Sequence, residues 1–163
     1  MPNRERTGKL KNHLQDQEAM ITIRNPTGSP APESYHHGVE VSGDVRTLYI
    51  AGQIGLQQNG TVPDGIEAQT RTVFSNLKAV LDAAGMSFAD VVKTTVFLDN
   101  PKDRDTFAAV RSEVTEGAKS ASTLVYVVGL ARPELLVEVE AVAVKVVVSG
   151  RPTANSPRAL RTS

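Results

Sequence analysis

Residues 135–148 form the segment that most constrains the fold, because most of their positions are apolar. Valines and alanines alternate along its centre, at Ala141, Val142, Ala143, Val144 and Val146. Successive side chains of an extended chain point to opposite faces, so this strand has little polar character on either face. A sheet that is apolar on both faces must bury both of them. We therefore expect helices to cover one face and other copies of the chain to cover the other.

Periodicity along the rest of the chain predicts one α+β domain. Alternating or β-branched runs indicate strands at residues 38–41, 47–52, 91–98, 123–128 and 135–148. Apolar residues spaced by about 3.6 positions predict a first helix that ends at Gly85 and a second helix that ends near Val114. This order favours two helices on one face of a mixed sheet, which is an α+β architecture.

Both predicted helices carry signals at their ends. The apolar stripe of the first helix consists of Ile66, Val73, Phe74, Leu77, Val80, Leu81 and Ala84. Asp64 and Glu67 have the spacing of a capping box at its start, and Gly85 is typical of the residue just past a helix end. Asn100 and Pro101 predict the N-cap and the first residue of the second helix.

Composition and missing motifs narrow the function. The 163 residues include no cysteine, which excludes disulfides, thiol nucleophiles and cysteine-bound metals. Lys plus Arg and Asp plus Glu number 18 each, so no excess of basic charge favours nucleic acid. No segment reaches the roughly 20 apolar residues of a membrane span, and no phosphate-binding or dinucleotide-binding motif occurs. We predict a small-molecule ligand, and no cofactor, nucleic acid or membrane as partner.

Charge and proline content divide the chain into three regions. Residues 1–19 are charged and lack apolar periodicity, so we expect a flexible N-terminal extension and no secretory signal. Residues 20–148 contain the predicted elements and form the domain. Residues 149–163 are polar and contain two prolines and three arginines, which predicts a disordered tail. These features are typical of a cytoplasmic protein.

Several runs in the middle of the chain match a known pattern in order and spacing. They are YIAGQI at residues 49–54, QTR at 69–71, NLKAVLDAAG at 76–85, DVVKTTVFL at 90–98 and LVEVEAVA at 136–143. Together they resemble the RidA/YjgF family of reactive intermediate deaminases, also called L-PSP endoribonuclease-like proteins. The resemblance extends upstream to Tyr35 and covers about two thirds of the chain. It implies a chorismate-mutase-like fold and a homotrimer with a central barrel and active sites between subunits.

The resemblance also implies functional residues that agree with the family pattern. Glu138 matches the glutamate that positions the hydrolytic water, Tyr35 matches a site tyrosine, and Gly52 matches a glycine whose backbone contacts bound ligand. His37 lies at a position where the family often has histidine or glutamine. His36 and His37 point to opposite sides of an extended chain and no third ligand is evident, so we predict no metal site.

Three other positions depart from the family pattern. Ser122 replaces the arginine that holds the substrate carboxylate in the deaminases, Leu124 replaces a frequent cysteine, and Arg111 stands where asparagine is frequent. A serine offers one neutral donor, whereas arginine offers a planar, bidentate fork. We therefore predict hydrolytic deamination of an enamine or imine other than 2-iminoacrylate. The predicted catalytic residues are Glu138, Tyr35 and Arg111, and the predicted substrate contacts are Gly52, Ser122, Leu124 and His37.

Two alternatives stay open at this point. Arg111 either lies at the end of the second helix with its head in water, or turns its guanidinium into the cleft in place of the missing arginine. The protein itself is a hydrolase, a non-catalytic small-molecule-binding member of the family, or a pathway-specific variant that acts on a biosynthetic intermediate.

Overall fold

Six strands form two sheets in the computed structural model, which describes residues 19–30 and 32–147. Strands β1 (Met20–Arg24) and β2 (Gly38–Ser42) pair antiparallel in a small sheet of their own. The larger sheet has the order β3–β6–β4–β5. Its strands are β3 (Val45–Ile54), β4 (Val91–Leu98), β5 (Ala121–Tyr126) and β6 (Val137–Val146). Only β4 and β5 run parallel in it, which confirms the predicted mixed sheet.

Nearly all positions of the two regions predicted to flank the domain lie outside the described residues. Of the predicted N-terminal extension, residues 1–18 lie outside the described residues. The whole of the predicted tail, residues 149–163, also lies outside them, as does residue 148 at the end of the predicted domain. The strand β1, in contrast, is described and was not predicted, because its partner β2 is separated from it by an irregular proline-containing segment.

Two helices cover one face of the larger sheet, as predicted. Helix α1 (Ile66–Ala83) packs on β3, on β6 and on α2 (Arg104–Val114). The predicted stripe of α1 is confirmed, because its large apolar side chains join Phe107 of α2 in one buried cluster. Every second residue of β6 from Val137 to Ala143 belongs to the same cluster, namely Val137, Val139, Ala141 and Ala143. The intervening residues of β6 therefore lie on the face without helices.

The start of α1 differs from its prediction. Gly65, with a φ of 83°, is the N-cap, and as a glycine it has no side chain with which to cap the helix. The predicted capping box of Asp64 and Glu67 is therefore wrong. Asp64 lies one residue outside the cap position, and Glu67 pairs with Arg71 at 3.1 Å instead.

The other helix ends follow their signals. Gly85 has a φ of 66°, and the amides of Gly85 and Met86 bond to carbonyls of the last turn of α1. The side chain of Asn100 accepts a hydrogen bond from the Lys102 amide at 3.1 Å and caps a short 3-10 turn, Pro101–Asp103, that leads into α2.

Two polar side chains of α1 hold the ends of the strands beneath it. Gln69 is 2% exposed; it donates to the Glu134 carbonyl at 2.8 Å and accepts from the Leu136 amide at 2.9 Å. Asn76 donates to two carbonyls at the end of β3, at 3.1 and 3.0 Å. These bonds fix the end of β3 and the entry to β6, the two strands that carry Gly52 and Glu138.

Candidate functional site

A groove of about 280 Å³ lies between the segment before β2, helix α2 and strand β5. Its lining consists of Ser34, Tyr35, Val96, Arg104, Phe107, Ala108, Arg111, Ser122 and Leu124. Four of the predicted site residues, Tyr35, Arg111, Ser122 and Leu124, therefore line one groove within a single chain. Buried apolar side chains of β4 and α2 contribute to its wall, and its polar groups come from three different elements.

Arg111 lies in the last turn of α2 and is half-buried. Its Nη2 donates to the carbonyl oxygen of Ser34, which joins α2 to the segment that carries Tyr35. Among the described residues, no carboxylate lies within ion-pair distance of this guanidinium. Burial lowers the pKa of Arg111 from its ordinary value, yet an arginine remains charged at neutral pH. The groove therefore contains a partly desolvated cation.

Ser122 lies at the end of a row of three hydroxyl groups. Thr94 Oγ1 donates to Ser122 Oγ at 3.0 Å, and Thr94 Oγ1 also lies 3.1 Å from Ser120 Oγ. Ser120 is buried, whereas Ser122 is half-buried and lines the groove. We call these residues, Ser120, Thr94 and Ser122, the hydroxyl row. It connects the interior of the domain to the groove.

Tyr35 and His37 lie side by side before and at the edge of β2. Their rings meet edge to face with centroids 5.7 Å apart. His37 Nε2 lies 3.0 Å from the Pro30 carbonyl oxygen. His36 pairs instead with Ala121 at the start of β5 through a parallel bridge. The structure thus brings His37 next to Tyr35, while His36 attaches the same segment to the sheet.

Gly52 and Glu138 meet on the neighbouring strands β3 and β6, and neither is among the residues that line the groove. The pairing of these strands shifts between Ile50 and Gln53, beside Gly52. A Cβ built on Gly52 would lie 1.8 Å from Glu138 Oε1 and 2.7 Å from its Cδ. A side chain at position 52 would therefore require the Glu138 carboxylate to move.

Sequence reasoning missed three polar residues of this region. Arg104 lines the groove and pairs with Asp105 at 3.2 Å. Thr94 and Ser120 belong to the hydroxyl row, but Thr94 lies in a run of β-branched residues that looks like any strand. The available signal was the spacing of Ser120, just before β5, and Ser122, because residues two apart in an extended chain point to the same side.

Residues 19–30 and 32–147 contain neither a metal-binding cluster nor a helix suited to cross a membrane. In these ranges no group of three or more His, Cys, Asp or Glu side chains is arranged to hold a metal ion. Neither helix there combines the length and the apolar character that a membrane crossing requires.

Comparison with known sequences gives consistent matches. Residues 27–145 match the family model described as Endoribonuclease L-PSP. A RutC family protein of Pyrococcus horikoshii is 41% identical over 100 residues, which cover 60% of this chain and 79% of that protein. A Mus musculus protein named 2-iminobutanoate/2-iminopropanoate deaminase is 36% identical over 113 residues, which cover 68% of this chain and 81% of that protein.

Solved structures share the same α+β fold. A protein of the conserved Rid family from Yersinia pestis superposes with a TM-score of 0.67 at 37% identity, covering 76% of this chain and 97% of that one. RidA from an Antarctic Psychrobacter species superposes with a TM-score of 0.58 at 32% identity, covering 75% and 97% of the two chains. The matched segment spans most of the domain, so this chain belongs to the Endoribonuclease L-PSP family, which is the RidA/YjgF family.

Proposed function

We propose that this protein is a hydrolase that deaminates an enamine or imine with an acidic group, and that Arg111 binds that group. The observation that carries the proposal is the half-buried guanidinium of Arg111, which lines the groove without a carboxylate partner among the described residues. A cation removed from water is costly unless it is paired, so the groove favours an anionic ligand. Relatives named as iminobutanoate deaminases support the reaction class.

Hydrolytic deamination requires a group that binds the acidic part of the substrate, a proton source and an oriented water. In this proposal Glu138 orients the water, which is the only co-reactant, and Tyr35 holds the substrate against the groove wall. Ser122 stands in place of the carboxylate-binding arginine of the deaminases. In this protein the acidic group is therefore bound by Arg111 on α2 and not by a residue of β5. A substrate held from α2 differs in shape from 2-iminoacrylate, which should therefore be turned over poorly.

The proposed site requires a trimer, because Gly52 and Glu138 do not line the groove of their own chain. The face of the sheet without helices supports such an association. Tyr49 on this face is 79% exposed beside Val142, and a cavity of about 450 Å³ lies there. In the proposed homotrimer three sheets surround a central barrel, and Glu138 of the partner subunit completes each groove. Light scattering should give the mass of three chains, and the mass of one chain would contradict this part of the proposal.

The direct test compares Arg111→Gln with Arg104→Gln. Both arginines line the groove, but Arg104 is exposed and already paired with Asp105, so it is the matched control. A series of 2-imino acids generated in situ by an amino-acid oxidase provides anionic substrates of increasing size. Arg111→Gln should weaken their binding by about 1.5–3 kcal/mol, the range for a hydrogen bond to a charged group. Arg104→Gln should change it much less.

Three results would count against the proposal or redirect it. Equal effects of the two substitutions, or no effect of Arg111→Gln, would remove Arg111 as the anchor. Turnover of 2-iminoacrylate as fast as that of any larger 2-imino acid would contradict the expected change of substrate. Binding of the acids without any turnover would favour the non-catalytic binding protein.

A further inference from the structure

We propose that Ser122 is an oriented hydrogen-bond donor that selects substrates with a second, neutral acceptor oxygen, such as a carbonyl, in addition to the acidic group. The inference rests on the proposed function, because the acidic group is assigned to Arg111. It adds the chemical class of the substrate: an acid with a separate carbonyl, amide or hydroxyl oxygen.

The direction of the hydroxyl row supports this assignment. A serine or threonine hydroxyl has one proton to donate and two lone pairs that accept. Thr94 is the donor in its 3.0 Å contact with Ser122. Because Thr94 uses its only proton there, its 3.1 Å contact with Ser120 is a hydrogen bond only if Ser120 donates. The donors therefore point from the buried end of the row toward the groove.

Within the hydroxyl row, the proton of Ser122 has no acceptor and is available to a ligand. Among the described residues, the Ser122 hydroxyl makes only the contact in which it accepts from Thr94. That contact restricts the rotation of the hydroxyl, and the half-buried side chain lines the groove. A ligand without an acceptor at this place leaves the hydroxyl unpaired, which is the kind of penalty that gives enzymes strong discrimination.

The charge difference between Arg111 and Ser122 assigns the acidic group and the neutral oxygen of a ligand to different residues. A carboxylate forms its stronger hydrogen bonds with a guanidinium, so the acid of a ligand binds at Arg111 in preference to Ser122. A neutral hydroxyl then suits a neutral acceptor, which has no strong attraction to the cation. The donor on β5 and the cation on α2 therefore recognise different groups of one ligand.

Matched pairs of small acids test the donor on the full-length protein. The pairs are pyruvate with propionate, acetoacetate with butyrate, and levulinate with pentanoate, in which the carbonyl lies progressively farther from the carboxylate. Isothermal titration calorimetry should show at least one keto acid binding about twofold to tenfold more tightly than its partner, the value of one neutral hydrogen bond. Ser122→Ala should remove this preference, because the keto acid loses its donor and the plain acid no longer leaves a hydroxyl unpaired.

Thr94 provides a second, independent pair of variants. Thr94→Val keeps the shape of the side chain but removes the proton that orients Ser122, so the preference for the keto acid should fall. Thr94→Ser keeps the hydroxyl and should retain the preference. If Ser122→Ala and Thr94→Val both leave the preference intact, or if the wild type shows none in any pair, the inference is overturned.

Arg111→Gln separates this inference from the proposed function. It should weaken both members of every pair by the same factor, because both carry the acid. If Arg111→Gln has no effect while Ser122→Ala removes the preference, the anchor at Arg111 fails and the donor at Ser122 stands. If none of the six acids binds to the wild type at any soluble concentration, both fail.

Discussion

Gln69 should contribute more to stability than a polar residue of a surface helix normally does. It is 2% exposed, and its amide joins α1 to the segment before β6 through the Glu134 carbonyl at 2.8 Å and the Leu136 amide at 2.9 Å. The substitution Gln69→Leu keeps a similar volume but removes both polar atoms. The two backbone groups then lose their partner while the helix still covers them.

The expected magnitude follows from two opposing contributions. Each backbone group left unsatisfied costs about 1–3 kcal/mol, and two are affected. The additional apolar surface of a buried leucine offsets about 1–2 kcal/mol. Water reaches the exposed Glu134 more easily than the half-buried Leu136, which lowers the cost at Glu134. We therefore expect Gln69→Leu to lower the free energy of unfolding by about 1–4 kcal/mol.

Urea unfolding at a fixed protomer concentration measures this change, since association makes stability depend on concentration. Gln58→Leu is the matched control, because Gln58 lies exposed in a turn and should change stability by less than about 0.5 kcal/mol. Hydrogen exchange of the Leu136 amide gives a local readout and should accelerate only in Gln69→Leu. Unchanged unfolding together with unchanged exchange at Leu136 would refute the reasoning.

Two further predictions concern the site and the helix surface. Gly52→Ala should displace the Glu138 carboxylate, because a Cβ would lie 1.8 Å from Oε1; imine turnover should therefore fall, and unchanged turnover would contradict the role proposed for Glu138. Hydrogen bonds from Arg71 at 2.9 Å lower the pKa of Glu113 in the folded protein. This pair therefore stabilises the fold at pH values above the usual glutamate pKa of about 4.3. The stabilisation is lost as the pH falls through the lower pKa of the folded state. Both groups are exposed, so the difference in unfolding free energy between wild type and Glu113→Gln should be small at neutral pH and vanish in acid; a difference independent of pH would exclude the pair as its source.

The helices and the strand segments could be predicted because their signals are local. The stripe of α1, Gly85 past its end and Asn100 before α2 each depend on residues close together in the sequence. The capping box failed for a local reason as well. Two adjacent residues, Asp64 and Gly65, compete for one cap position, and the glycine takes it with a positive φ.

The polar contacts of the site could not be predicted, because they depend on strand pairing. Thr94 lies opposite Ser122 only because β4 and β5 run parallel in this register. Gln69 likewise contacts residues 65 or more positions away in the chain, which no periodic pattern encodes. The family resemblance identified positions along the chain, whereas the partner of each side chain became visible only in the folded structure.

Tyr35 shows how the groove is organised around these contacts. The residue before it, Ser34, accepts a hydrogen bond from Arg111, and the amide of the residue after it, His36, donates to the Ser120 carbonyl at 2.9 Å. Tyr35 is therefore held on one side by the proposed anchor and on the other by the first member of the hydroxyl row. An arginine has five N–H donors, so Arg111 can bind an anion and keep its bond to Ser34. The groups assigned to recognise the acid and the neutral oxygen thus also fix the tyrosine between them, so the site is organised before a ligand arrives.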